Sequence, residues 1–186
     1  MKIRFAGFGG QGVVMMGVVF GQAAMNDGKN SMQTQSYGSA SRGGLTRSDV
    51  CIEEGEIHDL VYESFDVLVA LSQPSHDAFR SLVAPGGHIF YDSDLVRPEE
   101  QEGVNTHGLP ATDIAHSEFG RKVVANMIVM GYVSGTLGIV SSDALIDTLK
   151  QKVPPGTEDL NIRAFNEGAR RGMEERGQPE RGEAGG

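Results

Sequence analysis

The chain begins MKIRFAGFGGQG, a short apolar run followed by four glycines within six residues, Gly7, Gly9, Gly10 and Gly12. Glycine populates positive φ at little cost, so a strand that runs into such a cluster is expected to turn sharply. The segment QGVVMMGVVFGQAAMND, residues 11–27, is apolar nearly all round, which predicts a buried helix. Gly28 is placed to end it as a left-handed cap. The opening is therefore a strand, a tight turn and a helix. Gly9 is expected to sit at the turn with positive φ, so that a β-branched residue there would cripple folding or assembly.

The same glycines fit the G-x-G-x-x-G pattern of dinucleotide-binding turns. That reading requires an Asp or Glu about 20 residues on, to hold the ribose hydroxyls. The second strand, within residues 30–36, contains no acid, and none occurs between Asp27 and Asp49. The dinucleotide reading fails at its most diagnostic position. A helix N-terminus at this turn still offers free N–H groups to an anion or carbonyl, and Gln11 adds an amide.

Downstream, the pattern continues to alternate. Residues 47–52 and 56–61 resemble a hairpin around Glu54-Gly55. FDVLVALS (65–72) and HIFYDS (88–93) read as strands covered on both faces. HDAFRSLV (76–83) reads as a short helix, and Pro85-Gly86-Gly87 as a turn. VNTHGL (104–109) is a weaker strand. Residues 111–138 read as helix broken near Gly131 and Gly135, followed by helices over 141–153 and 157–172. The implied fold is α/β, a three-layer α/β/α sandwich whose hairpin makes a mostly parallel sheet mixed. One domain is expected over 1–172. The acidic tail 173–186 has too few apolar residues to order itself and is expected to be flexible and dispensable for folding.

Composition narrows the function. A formal charge of -9 argues against holding nucleic acid by a general field, so any anion site must be local. The single cysteine, Cys51, excludes an intrachain disulfide and suits a reducing cytoplasm. No stretch approaches a membrane span, and no signal peptide is visible. One thiol cannot hold a cluster that needs four. The five histidines show no metal-ligand spacing, and no serine has a convincing His–Asp partner.

The other unusual stretch is TQSYGSASRGGLTRSD, long and polar for a connector, with Tyr37, Arg42 and Arg47 among small residues. Arginine suits phosphate or carboxylate recognition, and a solvated arginine or a pairing inside the loop is the plain alternative. GFGGQG followed by SYGSASRGG resembles the gamma subunit of the 2-oxoacid:ferredoxin oxidoreductases. The resemblance runs through DVLVALSQ, GGHIFYDSDLV, LPATDIAHSEFG, NMIVMGYVSG and NIRAFNEG, over nearly all of residues 2–172. Ser36, Tyr37, Gly38, Arg42, Gly43 and Gly44 match the family's SYG-x-x-x-RGG loop at the same spacing.

The resemblance implies a non-catalytic subunit in a cytoplasmic complex. That complex decarboxylates a 2-oxoacid on thiamine diphosphate, with Mg, passes electrons through [4Fe-4S] clusters to ferredoxin, and transfers the acyl group to coenzyme A. The implied partners are alpha and beta subunits and a ferredoxin-like delta subunit, with no nucleic acid and no membrane. This chain would hold no cofactor alone. It would serve assembly and coenzyme A access, and its wording is most similar to the 2-oxoglutarate type. Candidate contact residues for coenzyme A or a partner subunit are Gly9, Gly10, Gln11, Gly12, Ser36, Tyr37, Gly38, Arg42, Gly43, Gly44, Ser72 and Gln73. The competing readings are a freestanding nucleotide-binding oxidoreductase and a pure interaction module.

Overall fold

The computed structural model describes residues 1–37, 44–57 and 62–177. Strand β1 (Lys2–Phe8) leads through the glycine turn into helix α1 (Val13–Asn26). Strands β2 (Asn30–Tyr37), β3 (Leu45–Glu53) and β4 (Phe65–Ala70) follow, then helix α2 (Gln73–Phe79) and a 3-10 turn (Arg80–Leu82). Strands β5 (Val83–Asp92) and β6 (Asn105–Leu109) complete the sheet. Helix α3 (Ala111–Phe119), a second 3-10 turn (Lys122–Val124) and helices α4 (Ala125–Leu137), α5 (Ser142–Lys152) and α6 (Glu158–Arg176) complete the fold.

The sheet order is β2-β3-β1-β4-β5-β6. β1, β4, β5 and β6 run parallel, and β3 is antiparallel to both of its neighbours, so the sheet is mixed as expected. The strand responsible differs from the expected one. β3 is paired along its whole length, to β1 from Lys2↔Cys51 to Phe8↔Leu45 and to β2 from Asn30↔Glu53 to Tyr37↔Thr46. No edge of β3 is left for residues 56–61, and the expected hairpin around Glu54-Gly55 is instead the β2–β3 pair. Residues 58–61 lie outside the described residues.

Alternation along the central strands divides the core. Ile3, Phe5, Val67, Val69 and Phe90 join Met16, Val19 and Phe20 of α1 and the apolar faces of α4, α5 and α6. Ala6, Leu68, Ala70 and Ile89 face the other way, against Phe79 of α2 and Val83. The sandwich is lopsided, with one deep helical layer and one layer carried by a seven-residue helix. On the thin side Arg4 is buried. It makes two 2.7 Å bonds to the carboxylate of Asp49, directly opposite it on β3. Its guanidinium also lies over the rings of Phe65 and Phe79. A buried arginine is tolerable only when its charge and donors are met in this way.

Several boundaries differ from expectation for local reasons. α2 starts at Gln73, not His76, because Ser72 and Ser75 form a reciprocal capping box with proline in the first turn. β5 starts at Val83 and runs through Pro85-Gly86-Gly87, with a register shift against β4 between Phe65 and Val67. The helical stretch after residue 111 breaks at Gly120, a left-handed cap, not at Gly131 or Gly135. α4 passes through those two glycines because α6 crosses there. A Cβ on Gly131 would lie 2.0 Å from the Phe165 carbonyl oxygen, and one on Gly168 would lie 1.9 Å from that of Ile128. α6 itself runs to Arg176, four residues beyond the expected domain end at 172. Residues 178–186 lie outside the described residues.

Candidate functional site

The parallel strands place their carboxyl ends on one edge of the sheet. Ala6 is level with Ala70, Ala70 with Tyr91, and Tyr91 with Gly108. Thr46 is level with both Gly7 and Tyr37, so β2 ends on the same edge. The glycine turn, the start of the second glycine loop and the Ser72-Gln73 pair therefore converge, as expected of ligand and partner positions in open α/β sheets. Gly38, Arg42 and Gly43 lie outside the described residues. Gly44 stands partly exposed just before β3, and Ser36 and Tyr37 close β2 with Tyr37 exposed.

The turn itself differs from expectation at Gly9, whose φ is not positive. Gly10 and Gly12 carry φ values of 94° and 76°. Gly12 is the residue that precedes the first turn of α1. No side chain caps that helix, and no acid lies in its first turn. The Gln11 amide is not free for a ligand. Its Oε1 accepts from the Phe8 N–H at 2.6 Å and its Nε2 donates to the Leu71 carbonyl at 2.8 Å. Gln11 thus ties the end of β1 to the end of β4.

Ser72 and Gln73 are also engaged within the chain. Ser72 caps α2. Gln73 donates to Asp77 at 2.7 Å and to the Arg97 carbonyl at 3.2 Å, while its Oε1 accepts from the Arg97 N–H at 2.7 Å. Both residues fix the loops of the edge and present little to a ligand.

Between the glycine turn and the start of α4 lies a cleft of about 450 Å³, lined by Gly10, Gln11, Leu71, Leu95, Val123 and Asn126 among others. The Asp92 carboxylate lines it too. It is buried and accepts the Thr112 N–H at 3.1 Å, the Thr112 hydroxyl at 2.6 Å and the Asp94 N–H at 3.1 Å. Burial pushes its carboxyl above the usual carboxylate range, against those hydrogen bonds, which hold it down. Asp92 and Asp94, which accepts the Asp113 N–H, together cap the N-terminus of α3 from the end of β5.

A second groove, of about 720 Å³, lies where Ser36, Thr34 and Arg47 meet the Arg4–Asp49 pair, Tyr62 and Glu63. Arg47, which the sequence places beside the second loop, lines it.

Sequence reasoning missed the first cleft's walls. Val123 and Leu95 are 71% and 44% exposed, yet Val123 stands in KVVANMIVM, within the stretch that reads as helix over 111–138. The signal was the pair Gly120-Arg121, which separates that run from α3.

A family model described as pyruvate ferredoxin/flavodoxin oxidoreductase matches residues 2–171. The chain is 40% identical to the 2-oxoglutarate synthase subunit KorC of Methanothermobacter marburgensis, over 90% of this chain and 94% of that one. Its fold matches the gamma subunit of a keto/oxoacid ferredoxin oxidoreductase from Geobacter sulfurreducens with a TM-score of 0.82 and 34% identity, covering 93% of this chain and 98% of that one. It also matches, with a TM-score of 0.85 and 23% identity, 31% of a chain of the Magnetococcus marinus 2-oxoglutarate:ferredoxin oxidoreductase, covering 94% of this chain.

Proposed function

The chain belongs to the pyruvate ferredoxin/flavodoxin oxidoreductase family, and from that premise we propose that it serves a 2-oxoglutarate synthase as its gamma subunit. The observation that carries this is the match to KorC over 90% of this chain and 94% of that subunit. The geometry supports it. Among the described residues, the working edge of the sheet gathers loops whose side chains, Gln11, Ser72 and Gln73, hold one another.

The substrate of the complex would be 2-oxoglutarate. When bound in the assembled enzyme, thiamine diphosphate with Mg supplies the decarboxylation, [4Fe-4S] clusters carry electrons to ferredoxin, and coenzyme A accepts the acyl group. The residues of this chain do not fit a cluster. Cys51 is buried, its thiol is 3.4 Å from Glu53, and burial pushes it up from its ordinary pKa. Among the described residues no group of His, Cys, Asp or Glu is arranged to hold a metal ion. In this reading the clusters and thiamine diphosphate are held by alpha, beta or a ferredoxin-like delta subunit.

This chain's part is assembly and the shaping of coenzyme A access along the edge where β2 and β3 meet. Arg42 is the residue proposed to meet a coenzyme A phosphate, because in the sequence it stands among the small residues of the second glycine loop, five positions before Arg47. The Magnetococcus marinus enzyme, whose fold this chain shares, carries 2-oxoglutarate, coenzyme A and succinyl-CoA, which is why coenzyme A is the ligand named. No helix among the described residues is long and apolar enough to cross a membrane. The proposed complex is cytoplasmic, as the family resemblance implies.

The test is reconstitution with purified alpha and beta subunits. The chain is expected to co-elute with them and to be required for coenzyme A-dependent oxidation of 2-oxoglutarate. Arg42→Ala is expected to raise the Michaelis constant for coenzyme A about tenfold to a hundredfold, the loss of one charge-assisted hydrogen bond, with assembly intact. Failure of the wild-type chain to associate would overturn the subunit reading.

A further inference from the structure

We propose that the cleft between the glycine turn and α4 is a docking socket. It receives an aliphatic side chain of the alpha or beta subunit, flanked on that subunit by a carboxylate. This rests on the subunit reading above and assigns one of its contacts.

Three features of the cleft lead there. The polar groups at its base are spent inside the chain. Gln11 is bonded at both ends of its amide, and Asp92 takes three donors, two of them from Thr112. Gln11 and Asp92 therefore hold the cleft's own loops in place rather than a ligand.

The walls are apolar and open. Leu71 is buried, whereas Leu95 and Val123 are 44% and 71% exposed on the same cleft. A valine in this state on a short 3-10 turn contributes nothing to the core of the isolated chain. Exposed apolar residues gathered at one cleft mark a surface that is covered in use.

The rim is basic. Lys122 lines the cleft, Arg121 precedes it and Arg97 lies two residues past Leu95, and all three are exposed. Among the described residues none of the three pairs with a carboxylate. The Arg97 guanidinium donates only to the carbonyls of Ser93 and Val96. The carboxylates of the same segments, Asp92 and Asp94, are held by N–H groups of α3. An apolar centre inside a charged rim is the anatomy of a protein–protein contact, and the rim's sign selects an acidic neighbour. A volume of about 450 Å³ admits a large side chain together with part of the backbone that carries it.

The experiment uses the full chain and purified alpha and beta subunits. Val123→Glu introduces a charge at an exposed position, so the thermal midpoint of the chain is expected to stay unchanged. Association with the partner subunits is expected to weaken roughly thirtyfold or more, the loss typical of a central interface residue. Leu95→Asp, on another wall of the same cleft, is expected to act in the same direction. Lys122→Glu is expected to weaken association several-fold and to flatten its dependence on salt.

Wild-type affinity in both Val123→Glu and Leu95→Asp, with the wild-type chain assembling normally, would overturn the socket and leave the subunit reading standing. Normal assembly with a raised Michaelis constant for coenzyme A would also overturn it, by making the cleft a small-molecule site. If the wild-type chain itself binds neither subunit, both readings fall.

Discussion

The turn after β1 and the crossing of α4 with α6 are both built on glycine pairs, and glycine does opposite things in them. At the turn, Gly10 and Gly12 are there for their backbone angles, with φ of 94° and 76°. Nothing lies within 4 Å of a Cβ added to Gly10. At the crossing, Gly131, Gly135, Gly168 and Gly172 sit inside helices with ordinary angles. They are there because a Cβ would enter the backbone of the facing helix, at 2.0, 2.2, 1.9 and 2.4 Å from its carbonyl oxygens. The first kind of glycine is a local demand of the chain. The second is a demand of two segments far apart in sequence, and its loss is felt by the whole helical layer.

The sharpest way to break this comparison is at the crossing. Gly168→Val would place its Cβ inside the contact distance of the Ile128 carbonyl and the Tyr132 N–H, both rigid backbone. No rotamer relieves that overlap, so α4 and α6 must separate. The expected cost is about 4 kcal/mol or more, among the largest single-residue effects. Denaturant unfolding checks it. A loss below about 1 kcal/mol would show that the helices slide past one another at little cost.

The next effect concerns what closes the crossing at its far end. The Glu175 carboxylate accepts a hydrogen bond from the Tyr132 hydroxyl and one from His107 Nδ1 at 2.7 Å. His107 Nε2 in turn lies 2.9 Å from His88 Nδ1. With His107 donating to Glu175, the neutral rings are satisfied when His88 donates to His107. Burial first, and the neighbouring His107 second, hold His88 below the ordinary histidine pKa. A chain ending at Gly172 loses this clasp and leaves Tyr132 and His107 without their acceptor. The expected cost is about 1–3 kcal/mol, several degrees in melting temperature. The tail's composition predicts no cost, so a melting temperature unchanged within about 2 °C would restore that expectation.

How much of this was legible follows the same division. The strand–turn–helix opening and the buried strands FDVLVA and HIFYD were plain from apolar patterning, which acts through near neighbours. β3 was placed correctly as a strand, but its partners were not. Pairing is decided by which strand finds a free edge, and no residue of β3 announces that it has none. The two glycine pairs of the crossing stand in the sequence as GYVSG and GARRG, and each alone reads as a weak spot in a helix. Only the two together specify a close crossing. At the site, Gln11 looked like a free amide because its acceptor, the Leu71 carbonyl, lies 60 positions away. Val123 falls inside the stretch read as helix over 111–138, and polarity patterns do not show which face of a short turn is left uncovered.

At the turn the expected effects are smaller. Gly12→Ala must take a left-handed φ, at about 1–2 kcal/mol for a residue with a Cβ. Its Cβ would also meet Asn126 Nδ2 at 2.1 Å. That neighbour is the end of a side chain and can swing away, unlike the carbonyls at the crossing. The loss is therefore expected to stay near the backbone term. A double variant with Asn126→Ala checks this. If removing the Asn126 side chain restores most of the stability, the contact and not the angle is the reason for Gly12, and the two glycine regions are less different than their angles suggest.

Gly9→Val sharpens the comparison from its weakest point. The glycine motif suggests that Gly9 holds the turn, yet its φ lies outside the positive range, and the nearest atom to an added Cβ is Thr46 Oγ1 at 3.8 Å. It has neither the angle of Gly12 nor the crowding of Gly168. An exposed substitution free of both is expected to change stability by no more than about 0.5 kcal/mol. The residue is nonetheless on the edge where β1, β4 and β5 end, beside the cleft proposed for docking. A branched side chain there would stand in the path of a partner while leaving the turn intact. The expected result is a wild-type unfolding curve together with weakened association with the alpha and beta subunits. A fall of several degrees in melting temperature would instead show that the turn needs glycine at 9 for a reason that neither backbone angle nor steric contact supplies.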